Sequence, residues 1–419
     1  MADFVASRLW VSVIAALVWV LASVTSAGAV EEAGSLDSTF GADGKVTTSF
    51  AGGFAIASGV AIQADGKIVA AGTVSRLLSA IVLARYETDG SLDPTFGGDG
   101  RARAAFPGGM FVRAVASQAD GRIVVVGSSG SSVTRFALAR FTTDGSLDPT
   151  FGEDGRVTTT FRRRAEAYDA AIQADGKIIA VGTSGRRQKF ALVRYNADGS
   201  LDVGFGGDGK VLTDVAVGDD TGNSIVIQAD GRIVAAGTSG CDFAVARYND
   251  DGSLDTTFGV GGTVTSDLGL LCQEALDVAI QADGRIVVAG FGECLSNRCL
   301  FDFVLARYNP DGTLDTGFAN DGSAQAGFFR AVADSIAIQD DGAIVAAGTN
   351  ESDGEFALAR FHPDGSSDTS FGEDGSVTTR IGKLSGARAV ALQADGKIVA
   401  AGFSERRTVK FGLARYLAA

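Results

Sequence analysis

The chain of 419 residues is 46% hydrophobic and contains 57 glycines but only 5 prolines, a composition typical of a globular, turn-rich protein. One hydrophobic core seldom supports so many residues, so the length predicts several domains or a repeated module. The formal net charge of -14 argues against nucleic acid as a partner, because phosphate contacts require clustered Lys and Arg side chains.

Residues 1–29 have the pattern of an export signal. Arg8 precedes an apolar run of about 16 residues from Leu9 to Val24, and Ala27 and Ala29 are the small residues that signal peptidase requires. A membrane span needs roughly 20 apolar residues, so an uncleaved anchor is the weaker alternative. We therefore predict cleavage after Ala29, no transmembrane span after cleavage, and a secreted, periplasmic or cell-surface protein.

Residues 30–419 contain seven copies of one repeat. A segment of the type VAIQADGKIVAAGT recurs at intervals of 55, 55, 55, 53, 58 and 54 residues. Segments of the types FALARYNADG and GSLDxTFGxDG accompany each copy. The glutamines that mark the copies are Gln63, Gln118, Gln173, Gln228, Gln281, Gln339 and Gln393. Such a period indicates a repeat architecture in which neighbouring units share their cores.

Each repeat is predicted to form a four-stranded antiparallel sheet. Asp-Gly pairs such as Asp65-Gly66 and Asp89-Gly90 favour tight hairpin turns, because Asp-Gly tolerates positive φ angles. The KIVAAG and FALARY segments are apolar on both faces, which is typical of sheets covered on both sides. Seven such sheets predict an all-β fold, a seven-bladed β-propeller of four-stranded antiparallel blades.

The phase of the repeat predicts how the ring closes. The predicted mature chain opens with the fourth-strand signature GSLDSTFGADGKVTT, and the last third-strand signature, FGLARY, ends at Tyr416. We expect the N-terminal strand to join the last blade, because this pairing removes an exposed sheet edge.

The combination of LARYnxDGSLDxTFG with VAIQADGKIVAAG resembles the delta-60 repeat, a bacterial propeller-like repeat of uncharacterised function. The resemblance covers nearly all of the chain after Ala29. It implies a bacterial protein outside the cytoplasm, and it supplies no catalytic residue.

The charged residues that recur in every copy are expected to be structural. Arg85 and Asp93, and their counterparts, lie eight residues apart across one turn and are predicted to form a partly buried ion pair. We expect no cofactor. Calcium at the Asp-rich turns is the alternative, although no copy has the D-x-[DN]-x-[DN]-G spacing of a calcium loop.

Connections that differ between the copies lie on the face opposite the Asp-Gly turns, so a ligand or partner surface is expected there. Blades four to six carry acidic residues on this face, whereas the third and seventh blades are basic. The basic sector, our candidate surface, contains Arg162, Arg163, Arg164, Arg186, Arg187 and Lys189. The seventh blade adds Lys383, Arg388, Arg406, Arg407 and Lys410. An anionic ligand, a glycan or an envelope protein would suit this sector; a solvated surface is the alternative.

All four cysteines lie in the variable connections of the fourth and fifth blades. In an exported protein they predict disulfides, and the favoured pairs are Cys294 with Cys299 and Cys241 with Cys272. A zinc site of four thiolates is the competitor, but the spacing lacks paired C-x2-C knuckles.

The residue inventory argues against an enzyme. His362 is the only histidine and lies in a repeated turn, so neither a Ser-His-Asp triad nor a multi-histidine metal site is available. We also find no set of carboxylates that departs from the repeat on several channel strands. A monomeric binding scaffold is therefore the first hypothesis. The alternatives are a structural module of the cell envelope and a calcium-assisted enzyme acting on carbohydrates or lactones.

Overall fold

The structure is a computed structural model that describes residues 32–51, 53–75, 79–130, 133–293 and 301–418. These residues form 28 strands and contain no helix. The described part of the chain accordingly has no helix with the length and hydropathy of a membrane span. The predicted export signal lies outside the described residues, and its cleavage stays a prediction.

The strands repeat one pattern of three long strands and one short strand. The N-terminal strand is β1 (Lys45–Thr48). Blades one to three contain β2 (Phe54–Ile62), β3 (Ile68–Ser75), β4 (Ala80–Tyr86) and β5 (Arg101–Ala104); β6 (Met110–Ser117), β7 (Ile123–Ser129), β8 (Arg135–Phe141) and β9 (Arg156–Thr159); and β10 (Ala165–Ile172), β11 (Ile178–Ser184), β12 (Lys189–Tyr195) and β13 (Lys210–Thr213). Blades four to six contain β14 (Asp220–Ile227), β15 (Ile233–Ser239), β16 (Asp242–Tyr248) and β17 (Thr263–Ser266); β18 (Gln273–Ile280), β19 (Ile286–Gly292), β20 (Asp302–Tyr308) and β21 (Ser323–Gln325); and β22 (Ala331–Ile338), β23 (Ile344–Asn350), β24 (Glu355–Phe361) and β25 (Ser376–Thr379). Blade seven contains β26 (Leu384–Leu392), β27 (Ile398–Glu405) and β28 (Val409–Tyr416).

Seven four-stranded antiparallel sheets confirm the predicted propeller. Six blades use four consecutive strands, whereas the last has the order β1-β28-β27-β26. Lys45 pairs with Ala414 and Thr48 pairs with Phe411, so the two ends of the chain share one sheet. The predicted closure is therefore confirmed, and it leaves no blade with an incomplete outer edge.

The Asp-Gly turns set the hairpin between the first and second strand of each blade. In blade one, the Gln63 amide donates to the Lys67 carbonyl at 2.8 Å, and Gly66 adopts a φ of 84°. This left-handed conformation costs a residue with a side chain roughly 1–2 kcal/mol, which explains the glycine. Because the strands alternate in direction, both Asp-Gly turns of a blade lie on one face and the variable connections lie on the other.

The core is distributed between the blades. Val69 and Leu83 of blade one share a buried cluster with Val112 and Val125 of blade two, and all four are at most 3% exposed. Burying one such side chain contributes about 1.5–3 kcal/mol. Each blade depends on its neighbours for this burial, so an isolated repeat would expose these side chains to water.

The repeated arginine joins consecutive blades, an arrangement that we call the arginine clamp. Arg85 donates from Nε to Asp93 Oδ2 at 2.7 Å, lies 4.7 Å above the ring of Phe96, and donates from Nη1 to the Thr143 carbonyl of the next blade at 2.6 Å. The seven clamp arginines are Arg85, Arg140, Arg194, Arg247, Arg307, Arg360 and Arg415. The expected structural role of these residues is confirmed, and the clamp extends it from a pair within one blade to a contact between blades.

Candidate functional site

The first strand of each blade lines the central channel. Each of these strands contacts the first strands of both neighbouring blades, and β26 contacts β2 to complete the circle. They start at the variable face and end at the Asp-Gly turns. Side chains near their starts therefore surround a mouth that opens on the variable face.

Each channel strand contains a β-bulge at the same position. In blade one, Ala57 pairs with Gly72 and Gly59 pairs with Ala71, so that Ser58 lacks a partner across the ladder. A bulge turns one side chain away from the regular alternation. The seven bulged residues are Ser58, Arg113, Tyr168, Asn223, Leu276, Asp334 and Arg388. These positions are equivalent in the repeat, yet they carry six different residue types.

All seven bulged residues line one cavity of about 580 Å³, which we call the channel pocket. Phe54 and Ile56 from β2 and Phe111 from β6 form an apolar wall above the bulges. Phe54 and Phe111 are each 56% exposed. Exposed aromatic side chains that converge on a concave surface are typical of a binding site, because water hydrates them poorly.

The charged groups of the channel pocket differ in how they are neutralised. Arg388 donates from Nη1 to Asp334 Oδ1 at 2.8 Å. Burial raises the pKa of Asp334, although the charge of Arg388 opposes the shift. Arg113 lies 5.3 Å above the Tyr168 ring and makes no ion pair with any residue that the structure describes. Blade two thus presents an uncompensated guanidinium beside the apolar wall.

A line of buried polar residues, which we call the carboxylate belt, runs directly behind the bulges of blades three to six. The Ser224 hydroxyl lies 2.9 Å from Asp169 Oδ2 and 2.6 Å from Asp277 Oδ1. The Ser335 hydroxyl donates to Asp277 Oδ2 at 3.0 Å. Burial, followed by the charge of Asp277, raises the pKa of Asp169 to about 7, and burial also raises the pKa of Asp277.

The carboxylate belt departs from the sequence analysis, which finds no set of carboxylates on the channel strands. Asp169 and Asp277 lie two blades apart and meet only through Ser224. Their signal is positional, because the belt residues stand four places before the repeat glutamine and the bulged residues stand five places before it. Aligning the copies on that glutamine would have exposed both sets. Within the described residues, no group of three or more His, Cys, Asp or Glu side chains is placed to hold a metal ion.

The basic sector predicted from sequence adjoins the channel pocket on blade three. Arg164 pairs with Glu166 at 2.6 Å and Lys189 pairs with Asp214 at 2.7 Å, so two of its six cations are already neutralised. The other four are exposed: Arg162, Arg163, Arg186 and Arg187. Tyr168 lines both the channel pocket and a cavity of about 250 Å³ beside Arg164. Ligand binding by the basic sector stays a prediction.

A disulfide bond joins Cys241 and Cys272, with Cα atoms 4.6 Å apart. It links the hairpin between β15 and β16 to the connection that enters the next blade, as the sequence analysis expects. Cys294 and Cys299 lie outside the described residues, so their pairing stays a prediction.

Removing this disulfide is expected to lower the free energy of unfolding. The bond closes a loop with a sequence separation of 31, and loop entropy of that size corresponds to about 3–4 kcal/mol. Chemical denaturation of a Cys241→Ala/Cys272→Ala variant measures the loss. A Ser239→Ala variant in the same hairpin keeps the bond and serves as control; equal stability of the two variants would contradict the prediction.

Six segments of the chain match one protein-family model, described as a β-propeller domain of unknown function (DUF5122). They are residues 63–96, 118–151, 173–205, 228–258, 281–318 and 339–371. The segments are β-propeller repeats of a family of unknown function. The narrower assignment to the delta-60 repeat stays a prediction. No curated protein matches the chain.

Solved structures share the fold at low sequence identity. A catalytically inactive variant of virginiamycin B lyase from Staphylococcus aureus with quinupristin is 9% identical, with a TM-score of 0.54 over 88% of this chain and 98% of that one. A streptogramin B lyase is 10% identical, with a TM-score of 0.51 over 89% and 97%. Hydrazine synthase from Kuenenia stuttgartiensis is 12% identical, with a TM-score of 0.52 over 89% and 98%. At these identities the likeness shows the propeller fold alone.

Proposed function

We propose that this propeller is a binding scaffold that takes an amphipathic anionic ligand in the channel pocket, on the variable face. The observation that carries the proposal is the diversity of the bulged residues. The repeat copies agree closely in the turns and in the arginine clamps, where architecture requires it. Seven equivalent positions that converge on one cavity and carry six residue types are instead suited to recognition of one asymmetric ligand.

The layout of the channel pocket specifies the chemistry of the ligand. Phe54, Ile56 and Phe111 place the apolar wall on blades one and two. Arg113 belongs to the blade next to Ser58 and forms no ion pair with any described residue, so its positive charge lies below that same wall. Arg388, on the other side of Ser58, is paired with Asp334. A ligand with an apolar body and a carboxylate or similar head would contact both features. The cavity of about 580 Å³ suits a small molecule better than a glycan chain or a folded envelope protein.

We further propose that the protein works outside the cytoplasm. The disulfide between Cys241 and Cys272 supports an oxidising compartment, in agreement with the export pattern of residues 1–29. The protein carries a formal charge of -14, so long-range attraction would not deliver an anion. Recognition would depend on the local contacts of the pocket.

The binding proposal predicts that Arg113→Ala weakens binding of an amphipathic carboxylate by about tenfold or more. A hydrogen bond to a charged group contributes about 1.5–3 kcal/mol, and 1.4 kcal/mol corresponds to a factor of ten. Isothermal titration calorimetry with decanoate and phenylpropionate measures the affinities. Decanol and acetate, which lack the head or the body, should bind more weakly than decanoate.

Arg135→Ala is the matched control, because Arg135 is exposed at the start of β8 and does not line the channel pocket. If both variants bind decanoate equally weakly, the loss of affinity is explained by the change in net charge and not by a contact with Arg113. The absence of saturable binding by any probe would remove the small-ligand proposal and favour a structural module. Turnover of a lactone or glycan, lost on chelation, would favour the enzyme alternative.

A further inference from the structure

A second charged cavity lies between blades six and seven, away from the channel. It has a volume of about 350 Å³ and shares no lining residue with the channel pocket. Four cations line it, and we call it the seam cleft after them: Lys45, Arg380, Arg406 and Lys410. Lys45 and Lys410 belong to the outer strands β1 and β28 of blade seven. Arg380 follows the outer strand of blade six, and Arg406 lies in the hairpin between β27 and β28.

The seam cleft is not a product of the repeat. Arg380 directly follows Thr379, which pairs with Phe356. None of the six equivalent positions, Ser49, Ala105, Thr160, Asp214, Asp267 and Gly327, carries a cation. The hairpin that carries Arg406 is extended, since β27 continues to Glu405 and β28 begins at Val409. Blade seven and its neighbour thus add positive charge at one place on the outer ring.

Two of the four cations are neutralised and two are not. Lys45 pairs with Asp43 at 3.0 Å, and Arg380 pairs with Glu355 at 2.7 Å. Among the residues that the structure describes, Arg406 and Lys410 form no ion pair.

The equivalent lysine of blade three has an ion-pair partner, which Lys410 lacks. Lys189 has the same position before the third-strand phenylalanine, and it pairs with Asp214 at the end of its own blade. In blade seven the residue equivalent to Asp214 is Ser49, which offers no charge. The side chain of Lys410 is therefore left to the seam cleft.

We infer that the seam cleft binds a tetrahedral oxyanion, a phosphate or sulfate group, either free or as an ester. Two unneutralised cations match the charge of such a group, and a guanidinium can donate two parallel hydrogen bonds to its oxygens. Thr47 lines the same cavity, is exposed, and supplies a hydroxyl donor. This inference does not depend on the ligand of the channel pocket.

The test is isothermal titration calorimetry of the purified chain with inorganic phosphate, sulfate and glucose 6-phosphate at constant ionic strength. We expect saturable binding that falls at least tenfold in an Arg406→Ala/Lys410→Ala variant. A preference for glucose 6-phosphate would identify an esterified ligand, and equal affinities would identify the free oxyanion. The matched control is Arg135→Ala, which removes the exposed cation that stands before the third-strand phenylalanine of blade two and should leave binding unchanged.

Three results would overturn the inference. They are no saturable binding by any of the three oxyanions, equal binding by wild type and the double variant, and an acetate response as large as that of phosphate. Arg406 is exposed and Lys410 is partly exposed, so the double variant should unfold at the wild-type temperature. Arg113→Ala should leave phosphate binding intact, which separates failure here from failure of the channel proposal.

Discussion

Replacing Arg415 by alanine is expected to lower the free energy of unfolding by about 3–5 kcal/mol, because it leaves a buried carboxylate without its arginine partner. The Arg415 guanidinium forms an ion pair with Asp37, with Nη2 2.8 Å from Oδ2, and lies 4.7 Å above the ring of Phe40. It also donates to the carbonyl of Thr88 in blade one. Asp37 is 1% exposed, and Lys397, at 3.2 Å, is the cation that remains near it.

Arg140→Ala is the matched comparison for this prediction. Arg140 makes the same clamp with Asp148, but that pair spans eight residues of one turn, whereas Arg415 and Asp37 join the two ends of the chain. Losing the long-range pair should cost more, because the closing contact restricts a far longer loop. Denaturant unfolding of both variants at pH 7, followed by tyrosine fluorescence, measures the difference. A larger loss for Arg140→Ala would contradict the argument.

The same clamp predicts weakening in acid. Burial raises the pKa of Asp37, but hydrogen bonds from Thr39 and the charges of Lys397 and Arg415 outweigh it and lower the pKa to about 2. A carboxylate whose folded pKa is depressed stabilises the protein above its unfolded pKa of 3.8, and this contribution is lost as the pH falls towards 2. In the Arg415→Ala variant this part of the acid dependence should be smaller.

The propeller and its closure could be predicted from sequence because each structural signal occurs in all seven copies of the repeat. The Asp-Gly turns, the apolar second and third strands and the split last blade each rest on a local signal. Gly66, for example, is required by its φ of 84°, and its counterparts stand at the same place in the other copies. Because these signals recur in every copy, the architecture can be predicted without a structure.

The channel pocket could not be predicted in this way, because it consists of what the copies do not share. A search for recurring residues overlooks Arg113 and Tyr168, because the other copies mostly carry different residues at this position. The bulge that turns them into the channel is a feature of strand register and has no residue type of its own. Asp169 and Asp277 are similarly distant in sequence, and only ring geometry brings both to the Ser224 hydroxyl.

The carboxylate belt predicts that the free energy of unfolding falls as the pH rises from about 5 to 8. Asp169 has a pKa of about 7 in the folded protein and 3.8 as its reference value, so the folded state binds the proton more tightly. The stabilisation is complete below the unfolded pKa and is lost as the pH rises through 7. At 1.36 kcal/mol per pKa unit, the full change is on the order of 4 kcal/mol, of which roughly 3 kcal/mol is lost between pH 5 and pH 8.

Asp169→Asn should remove most of this slope and should make the protein more stable than wild type at pH 8. The neutral amide brings no charge, and with its oxygen in the place of Oδ2 it still accepts from the Ile225 amide and the Ser224 hydroxyl. It loses only the bond that Oδ1 accepts from the Ala170 amide. Denaturant unfolding at several pH values measures the slope. Asp175→Asn is the control, because Asp175 lies in an exposed turn of the same blade and its pKa is lowered despite the opposing effect of burial. A wild-type profile that is flat between pH 5 and 8 would contradict the prediction.

The hydrogen-bond geometry of the belt supports the same protonation independently. Ser224 has one hydroxyl proton but lies within hydrogen-bonding distance of two carboxylates, at 2.9 Å from Asp169 and 2.6 Å from Asp277. The hydroxyl can donate to one of them, so the other must donate a proton of its own to the Ser224 oxygen. Asp334 of blade six and Arg113 and Arg388 line the same small cavity. Loss of the shared proton would therefore place two negative charges directly behind the bulged residues Tyr168 and Leu276 of the channel pocket. Affinity for an anionic ligand should weaken over the same pH interval in wild type but not in Asp169→Asn.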